Sequence, residues 1–171
     1  MNVILVAHDI RSTHNVGAFF RTCDGLGVSR ILFSGYTPYP TFEGDSRLPH
    51  FADKLTRQIH KTALGAESSV PFDIFKTLDE ALASLKESDV TLIALEQAKN
   101  SSSPEAIRLE LNRSNTDKTV ALIIGNEIHG VNSETLQGVD YVMEIPMHGT
   151  KESLNVSVAT AIALYELTRT T

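Results

Sequence analysis

The hydrophobic run Val120-Ala-Leu-Ile-Ile124 ends directly in the glycine-punctuated stretch Gly125-Asn-Glu-Ile-His-Gly130. A second unit of the same kind follows, in which a predicted strand at residues 141–145 leads into residues 146–155 and then into a long apolar helix. Loops at the carboxyl ends of neighbouring strands can close around one small ligand, and open α/β sheets form their binding sites there. The sequence therefore predicts an α/β fold with its functional site near these two loops.

The rest of the chain continues this alternation of strands and helices. Continuous apolar runs predict further strands at residues 2–7, 29–34, 72–75 and 90–95. Apolar side chains at helical spacing predict helices at residues 15–26, 78–85 and 106–111. Gly27 ends the first of these helices. Strands that are apolar on both sides indicate a mostly parallel sheet with helices on both faces. A length of 171 residues with 42% apolar content fits one domain over residues 1–171.

Two segments depart from this regular pattern. Residues 35–59 are rich in Gly, Pro, Tyr and charge without a clear period, and only a short helical turn is expected after them, at residues 61–64. A loop of that length usually has a function, so we interpret it as a mobile loop that contacts the substrate. The final helix, residues 154–168, is apolar nearly all round and needs two partners. One partner is the helix's own sheet. The need for a second partner predicts a homodimer.

Composition argues against several classes of protein. A net charge of −6 disfavours a protein that coats nucleic acid through bulk electrostatics. No apolar run reaches about eighteen residues and no signal-peptide pattern opens the chain, which predicts a cytoplasmic protein without a membrane span. The lone Cys23 excludes an internal disulfide and is expected to be a buried apolar residue. The six histidines show no ligand spacing, so no metal site is expected.

Positive charge is concentrated in the first part of the chain. Residues 1–61 carry seven Lys or Arg against five Asp or Glu, whereas the remainder carries eight against sixteen. The densest part, residues 47–61, contains Arg57 and Lys61. Composition alone favours a solvated loop with scattered charges, and contact with RNA phosphates is the alternative.

Three polar clusters are the candidates for chemistry. The first is Asn15-Val-Gly-Ala-Phe-Phe-Arg21, the second is residues 125–130, and the third runs from Ile145-Pro-Met-His-Gly149 through Ser153-Leu-Asn155. Phosphate-binding loops, the G-x-S-x-G nucleophile motif and the H-E-x-x-H zinc motif do not occur, so nucleotide hydrolysis and common hydrolase chemistry lose support. In this order and spacing the clusters resemble the SPOUT superfamily of RNA methyltransferases, in its SpoU/TrmH branch of ribose 2′-O-methyltransferases. The resemblance covers nearly the whole chain.

The resemblance implies an enzyme that transfers a methyl group from S-adenosylmethionine to a ribose of tRNA or rRNA, as a homodimer. It also implies an α/β fold with a C-terminal trefoil knot. The residues that match the cofactor site of the family are Leu95, Gly125, Ile145, Met147 and Leu154. The residues that match its catalytic positions are Arg21, Glu127, Ser153 and Asn155. Contacts with RNA are expected from Arg11, Asn15, Arg57 and Lys61.

The residue types suit these roles. Backbone N–H and C=O groups of glycine-rich loops can hydrogen-bond an adenine edge that side chains would crowd. The resemblance places Arg21 in the cofactor site of the partner subunit, where relatives are proposed to use it as a base. Arginine is effectively always protonated, so stabilising a developing alkoxide or holding a phosphate is the easier role. Glu127 is expected to orient Arg21 through a charge-assisted hydrogen bond.

Plainer interpretations stay open beside these. Arg21 fits a cation on a helix surface, the cofactor-site residues fit ordinary core and turn positions, and Ser153 or Asn155 fits the cap of the last helix. Two other functions are also open: a non-catalytic RNA-binding or assembly factor that keeps the fold, and a domain that binds some other nucleotide.

Overall fold

A parallel sheet of six strands forms the centre of the molecule. The computed structural model describes residues 1–85, 89–113 and 118–169. The strands are β1 (Asn2–His8), β2 (Arg30–Ser34), β3 (Phe72–Phe75), β4 (Val90–Leu95), β5 (Thr119–Ile124) and β6 (Tyr141–Met143). Their order across the sheet is β3-β2-β1-β5-β4-β6, and every neighbouring pair is parallel. The predicted mostly parallel sheet is confirmed.

Helices cover both faces of this sheet, as predicted. They are α1 (Thr13–Leu26), α2 (Pro49–Ala63), α3 (Leu78–Ala83), α4 (Pro104–Arg113), α5 (Ser133–Gly138) and α6 (Val156–Thr168), with a 3₁₀ turn at Ala66–Ser68. Alternate residues of β1 enter different cores, since Leu5 packs with α1, α2, α4 and α6 whereas Ile4 packs with α3. This two-sided burial explains the continuous apolar strands. Among the described residues no helix is long and apolar enough to cross a bilayer.

The predicted loop over residues 35–59 is wrong from residue 49 onward. Helix α2 occupies Pro49–Ala63, so the expected turn at residues 61–64 is the end of a fifteen-residue helix. Proline at the first helical position is favoured, because its fixed φ suits a helix and its missing N–H would have no partner there. Only Ala52, Ile59 and Ala63 of α2 are buried. The segment is mostly polar and charged, and its few apolar residues were not recognised as one face of a helix.

Helix α1 confirms its prediction and shows why the first motif contains glycine. Gly27 ends the helix in the left-handed conformation, with φ of 68°. Cys23 is fully buried, and its burial raises the pKa of the thiol well above the ordinary value. At Gly17 the backbones of α1 and α2 approach closely, since a Cβ there would lie 2.3 Å from the carbonyl oxygen of Ile59. Gly17 is therefore a packing residue.

We expect Gly17→Ala to destabilise the protein by about 1–3 kcal/mol, because the added methyl meets backbone atoms of α2 that cannot move independently. Thermal unfolding followed by circular dichroism measures this change. Gly25→Ala is the matched control in the same helix, since nothing lies within 4 Å of a Cβ at that position. The control should gain up to about 1 kcal/mol from helix propensity. Equal effects of the two substitutions would contradict the packing role of Gly17.

Candidate active site

One cleft lies at the carboxyl ends of three adjacent strands, β5, β4 and β6. We name it the glycine-loop cleft. All five residues predicted to hold the cofactor line it, together with two predicted catalytic residues; these are Leu95, Gly125, Ile145, Met147, Leu154, Glu127 and Ser153. The loops after β5 and β6 thus meet where the sequence predicted.

The loop after β5 is held in shape by Asn126, a residue to which no role was assigned from the sequence. Asn126 is 8% exposed, and its Oδ1 accepts from the N–H groups of Ile128 (2.9 Å) and His129 (3.0 Å). Its Nδ2 donates to the carbonyl of Asp9 (2.9 Å) and to the hydroxyl of Tyr36 (2.7 Å). The side chain closes the turn and ties it to the end of β1.

Glu96 is a second residue that sequence reasoning missed. It follows β4 and lines the cleft, and its carboxylate accepts from the N–H of Val131 (2.8 Å) and of Gln97 (2.9 Å). Gly130 has a φ of +63°, and a Cβ there would lie 1.8 Å from the Glu96 carboxylate. Glycine at 130 is therefore required both by backbone conformation and by space. A single carboxylate in a strand-end loop carries no sequence signal of its own.

The loop after β6 leaves most of its backbone unpaired. Within residues 145–154 the single hydrogen bond of the described structure is from Nε2 of Gln97 to the carbonyl of Glu152, at 2.6 Å. Strand β6 itself ends at Met143, two residues before its predicted end. Backbone donors and acceptors without internal partners are bound by water or by a ligand. The loop can therefore present a hydrogen-bonding edge to a ligand in the cleft.

The polar side chains of all three motifs are joined beside the cleft. Glu127 accepts from the N–H groups of Arg11 (3.0 Å) and Ser12 (3.1 Å) and from Nδ2 of Asn15 (3.0 Å). Asn155 donates to Oδ1 of Asn15 at 3.4 Å. Partial burial opposes ionisation of Glu127, but these hydrogen bonds outweigh it and lower its pKa below the ordinary value. Glu127 is therefore a fixed anion at the start of α1 and a weak proton acceptor.

Of the two candidate caps for the last helix, Asn155 has that role. Its Oδ1 accepts from the N–H of Ser157 at 2.8 Å, and α6 begins at Val156. Ser153 is exposed and lines the cleft, and it makes no hydrogen bond among the described residues. Its hydroxyl is thus free for a ligand.

The predicted cations lie outside the cleft. Arg21 is exposed on α1, and its guanidinium has no hydrogen bond or ion pair within residues 1–85, 89–113 and 118–169. The expected contact between Glu127 and Arg21 is therefore not made within this chain. Arg57 and Lys61 are exposed one turn apart on α2 and are likewise unpaired in the described part of the chain. Arg11 contributes its backbone N–H to Glu127, and its side chain is exposed.

Helix α6 has one buried face and one exposed apolar face, as its pattern predicted. Ala163, Leu164 and Leu167 are at most 2% exposed. The opposite side is the α6 stripe, whose members are Leu154 (36% exposed), Val158 (47%), Ile162 (40%) and Tyr165 (56%). Leu154 belongs both to this stripe and to the wall of the glycine-loop cleft. A molecule that covers the stripe therefore reaches the rim of the cleft.

Comparison with known sequences finds relatives over nearly the whole chain. The model of the SpoU rRNA Methylase family matches residues 2–165. A 23S rRNA (guanosine-2'-O-)-methyltransferase of Neisseria meningitidis is 30% identical over 167 residues, which are 98% of this chain and 58% of that protein. A tRNA (guanosine(18)-2'-O)-methyltransferase of Aquifex aeolicus is 27% identical over 98% of this chain and 69% of its own length. The chain thus spans little more than half the length of the rRNA-modifying relative.

Solved structures share the fold. The A. aeolicus TrmH/SpoU tRNA modifying enzyme superposes with a TM-score of 0.74 at 26% identity, covering 98% of this chain and 74% of that one. An rRNA methyltransferase of Sinorhizobium meliloti with bound AdoMet superposes with a TM-score of 0.74 at 23% identity, covering 97% of this chain and 55% of that one. The second likeness bears on the fold alone.

Proposed function

The chain belongs to the SpoU rRNA methylase family, and from that premise we propose that it transfers a methyl group from S-adenosylmethionine to a ribose 2′-hydroxyl of tRNA or rRNA. The observation that carries the proposal is the convergence of three separate motifs on the glycine-loop cleft. Residues 1–171 act as one methyltransferase domain in this proposal. The RNA substrates in the relatives' names support it.

The residues of the glycine-loop cleft fit S-adenosylmethionine. Leu95, Ile145 and Leu154 supply apolar walls, and the unpaired backbone of residues 145–154 supplies donors and acceptors for an adenine edge. Three carboxylates line the cleft as well; they belong to Glu96, Glu127 and Glu144. Negative side chains complement a positively charged sulfonium. When bound, the donor supplies an electrophilic methyl group.

No Lys or Arg is among the described residues that line the glycine-loop cleft, so a cation for the acceptor side of the reaction must come from outside this lining. A 2′-hydroxyl gains negative charge as it loses its proton, and a fixed guanidinium stabilises that charge. Arg21 is on the exposed side of α1 and unpaired in the described structure. Glu127, Asn15 and Asn155 position the start of α1 and of α6 against the cleft. We therefore assign Arg21 to the cleft of a partner subunit.

The α6 stripe is the proposed dimer surface. Helix α6 packs beside α1, so a second copy seated on the stripe by a twofold axis brings its own α1 towards the first copy. Leu154 connects the stripe to the cleft, which makes the subunit boundary part of the site. In this arrangement Arg21 reaches the cleft of the partner subunit, and the partner subunit covers the α6 stripe.

The C-terminal segment is proposed to form the trefoil knot implied by the family resemblance. Supporting hydrogen bonds lie on both sides of β6: the N–H of Glu96 donates to Met143 (3.0 Å), and the N–H of Ser102 donates to Val142 (2.9 Å). Residues 142–144 therefore pass between β4 and the loop that leaves β4. In the proposed knot, the threaded segment holds two loops of one cleft against each other with no covalent link.

Helix α2 is the proposed contact for RNA phosphates. His50, Lys54, Arg57 and Lys61 are spaced by four, three and four residues, which places them along one face of the helix, and all four are exposed. Three of them, Lys54, Arg57 and Lys61, are cations, and a row of cations on a rigid helix follows a phosphate backbone better than scattered charges on a loop. The contact predicted for Arg57 and Lys61 thus keeps support although the predicted loop was wrong.

Reversal of two charges tests this contact. Arg57→Glu with Lys61→Glu should weaken binding of any structured RNA and reduce the slope of log affinity against log salt by about 2, because two phosphate contacts are lost. Filter binding of bulk tRNA over a salt series measures the slope. Arg113→Glu, an exposed cation at the end of α4, is the control and should leave the slope unchanged. An unaltered slope in the double variant would place RNA binding elsewhere.

Two measurements test the proposed function itself. Isothermal titration with S-adenosylmethionine should show binding, and radiolabelled donor should transfer methyl groups into bulk RNA as 2′-O-methylated nucleosides. Donor binding without transfer to any RNA fraction would favour the non-catalytic assembly factor. Failure to bind the donor would remove both the enzyme and the proposed use of the cleft.

A further inference from the structure

A second cleft lies beside the first and has no role in the function proposed so far. We name it the aromatic cleft. It is formed by the start of α1, the loop after β2 and the first turns of α2. Its lining residues that enter the argument are Arg11, Tyr36, Tyr39, Arg47, Phe51 and Gln58.

Aromatic rings give this cleft open stacking surfaces on a rigid base. Tyr36 is 59% exposed and Phe51 is 49% exposed. Tyr39 is fixed, since the guanidinium of Arg47 lies 3.7 Å from its ring centroid and is itself bonded to Asp45 at 2.6 Å. Exposed rings grouped in one concave site, with polar groups at its rim, are typical of ligand-binding surfaces. Ligands with a flat apolar face fit such a site.

The charges of the aromatic cleft select an anionic ligand. Arg11 has no partner for its guanidinium within the described residues, whereas Arg47, the other cation of the lining, is neutralised by its ion pair with Asp45. No carboxylate is among the described residues that line the cleft. The amide of Gln58 adds a donor and an acceptor. The free cation matches the phosphate of a nucleotide, the exposed rings match the face of its base, and the amide matches the edge of that base.

The two clefts share one wall. Asn126 and Glu127 line the glycine-loop cleft, whereas Arg11 and Tyr36 line the aromatic cleft. The pairs are joined directly, because Nδ2 of Asn126 donates to the hydroxyl of Tyr36 (2.7 Å) and the N–H of Arg11 donates to Glu127 (3.0 Å). One layer of side chains therefore separates a ligand in one cleft from a ligand in the other.

We propose that the aromatic cleft binds an unpaired nucleotide of the RNA substrate, at the methylated ribose or one residue from it. The base stacks on Tyr36 and the phosphate contacts Arg11. This inference rests on the proposed methyltransferase function. It adds a base-binding subsite that takes a nucleotide out of its helix, since a paired and stacked base cannot enter a concave site.

The experiment uses the whole chain and a single-stranded RNA of about ten nucleotides with 2-aminopurine at its centre. Stacking on an aromatic ring quenches this base, so fluorescence reports both affinity and contact. Tyr36→Leu removes the ring and should weaken binding by about tenfold with loss of quenching, the range expected for one base on one ring. Tyr36→Phe keeps the ring and should bind within about twofold of the original chain.

Titration of each variant with S-adenosylmethionine shows whether the fold and the neighbouring cleft are intact. Both substitutions remove the hydroxyl that accepts from Asn126, so the two variants should bind the donor equally. Equal RNA affinity and quenching in Tyr36→Leu would overturn the subsite even if the protein methylates RNA. A change in self-association by sedimentation, with RNA binding unaltered, would also overturn it and indicate a protein contact. Ring-dependent quenching without methyl transfer would support the subsite while the proposed reaction fails.

Discussion

Arg21→Ala is expected to lower the rate of methyl transfer by at least about 100-fold while S-adenosylmethionine binds as before. Removal of one fixed donor that stabilises a developing oxyanion typically costs 10²–10³ in rate, which sets the scale. Donor affinity is spared because the proposed role of Arg21 is at the acceptor hydroxyl, whereas the donor is held by the residues that line the glycine-loop cleft. Single-turnover transfer of radiolabelled methyl groups measures the rate, and calorimetry measures the affinity.

The control for this variant is Arg113→Ala, which removes an exposed arginine from α4 and should leave both quantities unchanged. Arg21→Lys separates charge from shape, since lysine keeps the cation but lacks the planar fork. Partial activity of the lysine variant would indicate that charge is the main contribution. Full activity of Arg21→Ala would remove this residue from the mechanism.

A mixing experiment asks in which subunit Arg21 acts. Met147 lines the cleft, so Met147→Trp should block donor binding in its own chain and leave Arg21 intact. Co-expression of Arg21→Ala and Met147→Trp chains gives mixed dimers in which one site has an open cleft and a partner's arginine. Random pairing restores about one quarter of the wild-type sites if the arginine acts across the subunit boundary. Absence of recovery, with mixed dimers present, would place Arg21 in its own chain's site.

The sequence predicted those features that local chemistry determines. Buried strands such as Asn2–His8 were recognisable because both faces are apolar, and Gly27 marked the end of α1 because few residues adopt its positive φ. Residues of the glycine-loop cleft were found through a resemblance that orders three motifs along the chain. Each motif alone would have fitted ordinary turns and caps.

What the sequence could not predict depends on long-range contacts. Asn126 and Glu96 organise the cleft through partners more than 30 positions away along the chain, such as Tyr36 and Val131. Helix α2 was missed because only three of its residues are buried, so its composition resembles that of a surface loop. Gly17 was assigned to the catalytic motif, but glycine is needed there because α2 packs closely against it. Contacts of this kind can be predicted only when the order of the strands in the sheet is known.

Val158→Glu combined with Ile162→Glu is expected to convert a dimer into a monomer of 18.7 kDa and to abolish methyl transfer. In a twofold-symmetric interface each substitution occurs in both subunits, so the double variant places four carboxylates across the α6 stripe. These carboxylates would lose their hydration on association or repel one another. Both side chains are 40% exposed or more in one chain, so its own core is not disturbed.

Sedimentation equilibrium measures the mass of this double variant, and circular dichroism verifies its fold. Leu109→Glu is the matched control, because Leu109 is 43% exposed on α4 and lies outside the stripe. The control should stay dimeric and active. Loss of activity by at least about 100-fold in a folded monomer follows if each cleft depends on the partner's Arg21, whose removal costs that much. A fully active monomer would show that one chain completes its own site, and the exposed Arg21 would then need another explanation.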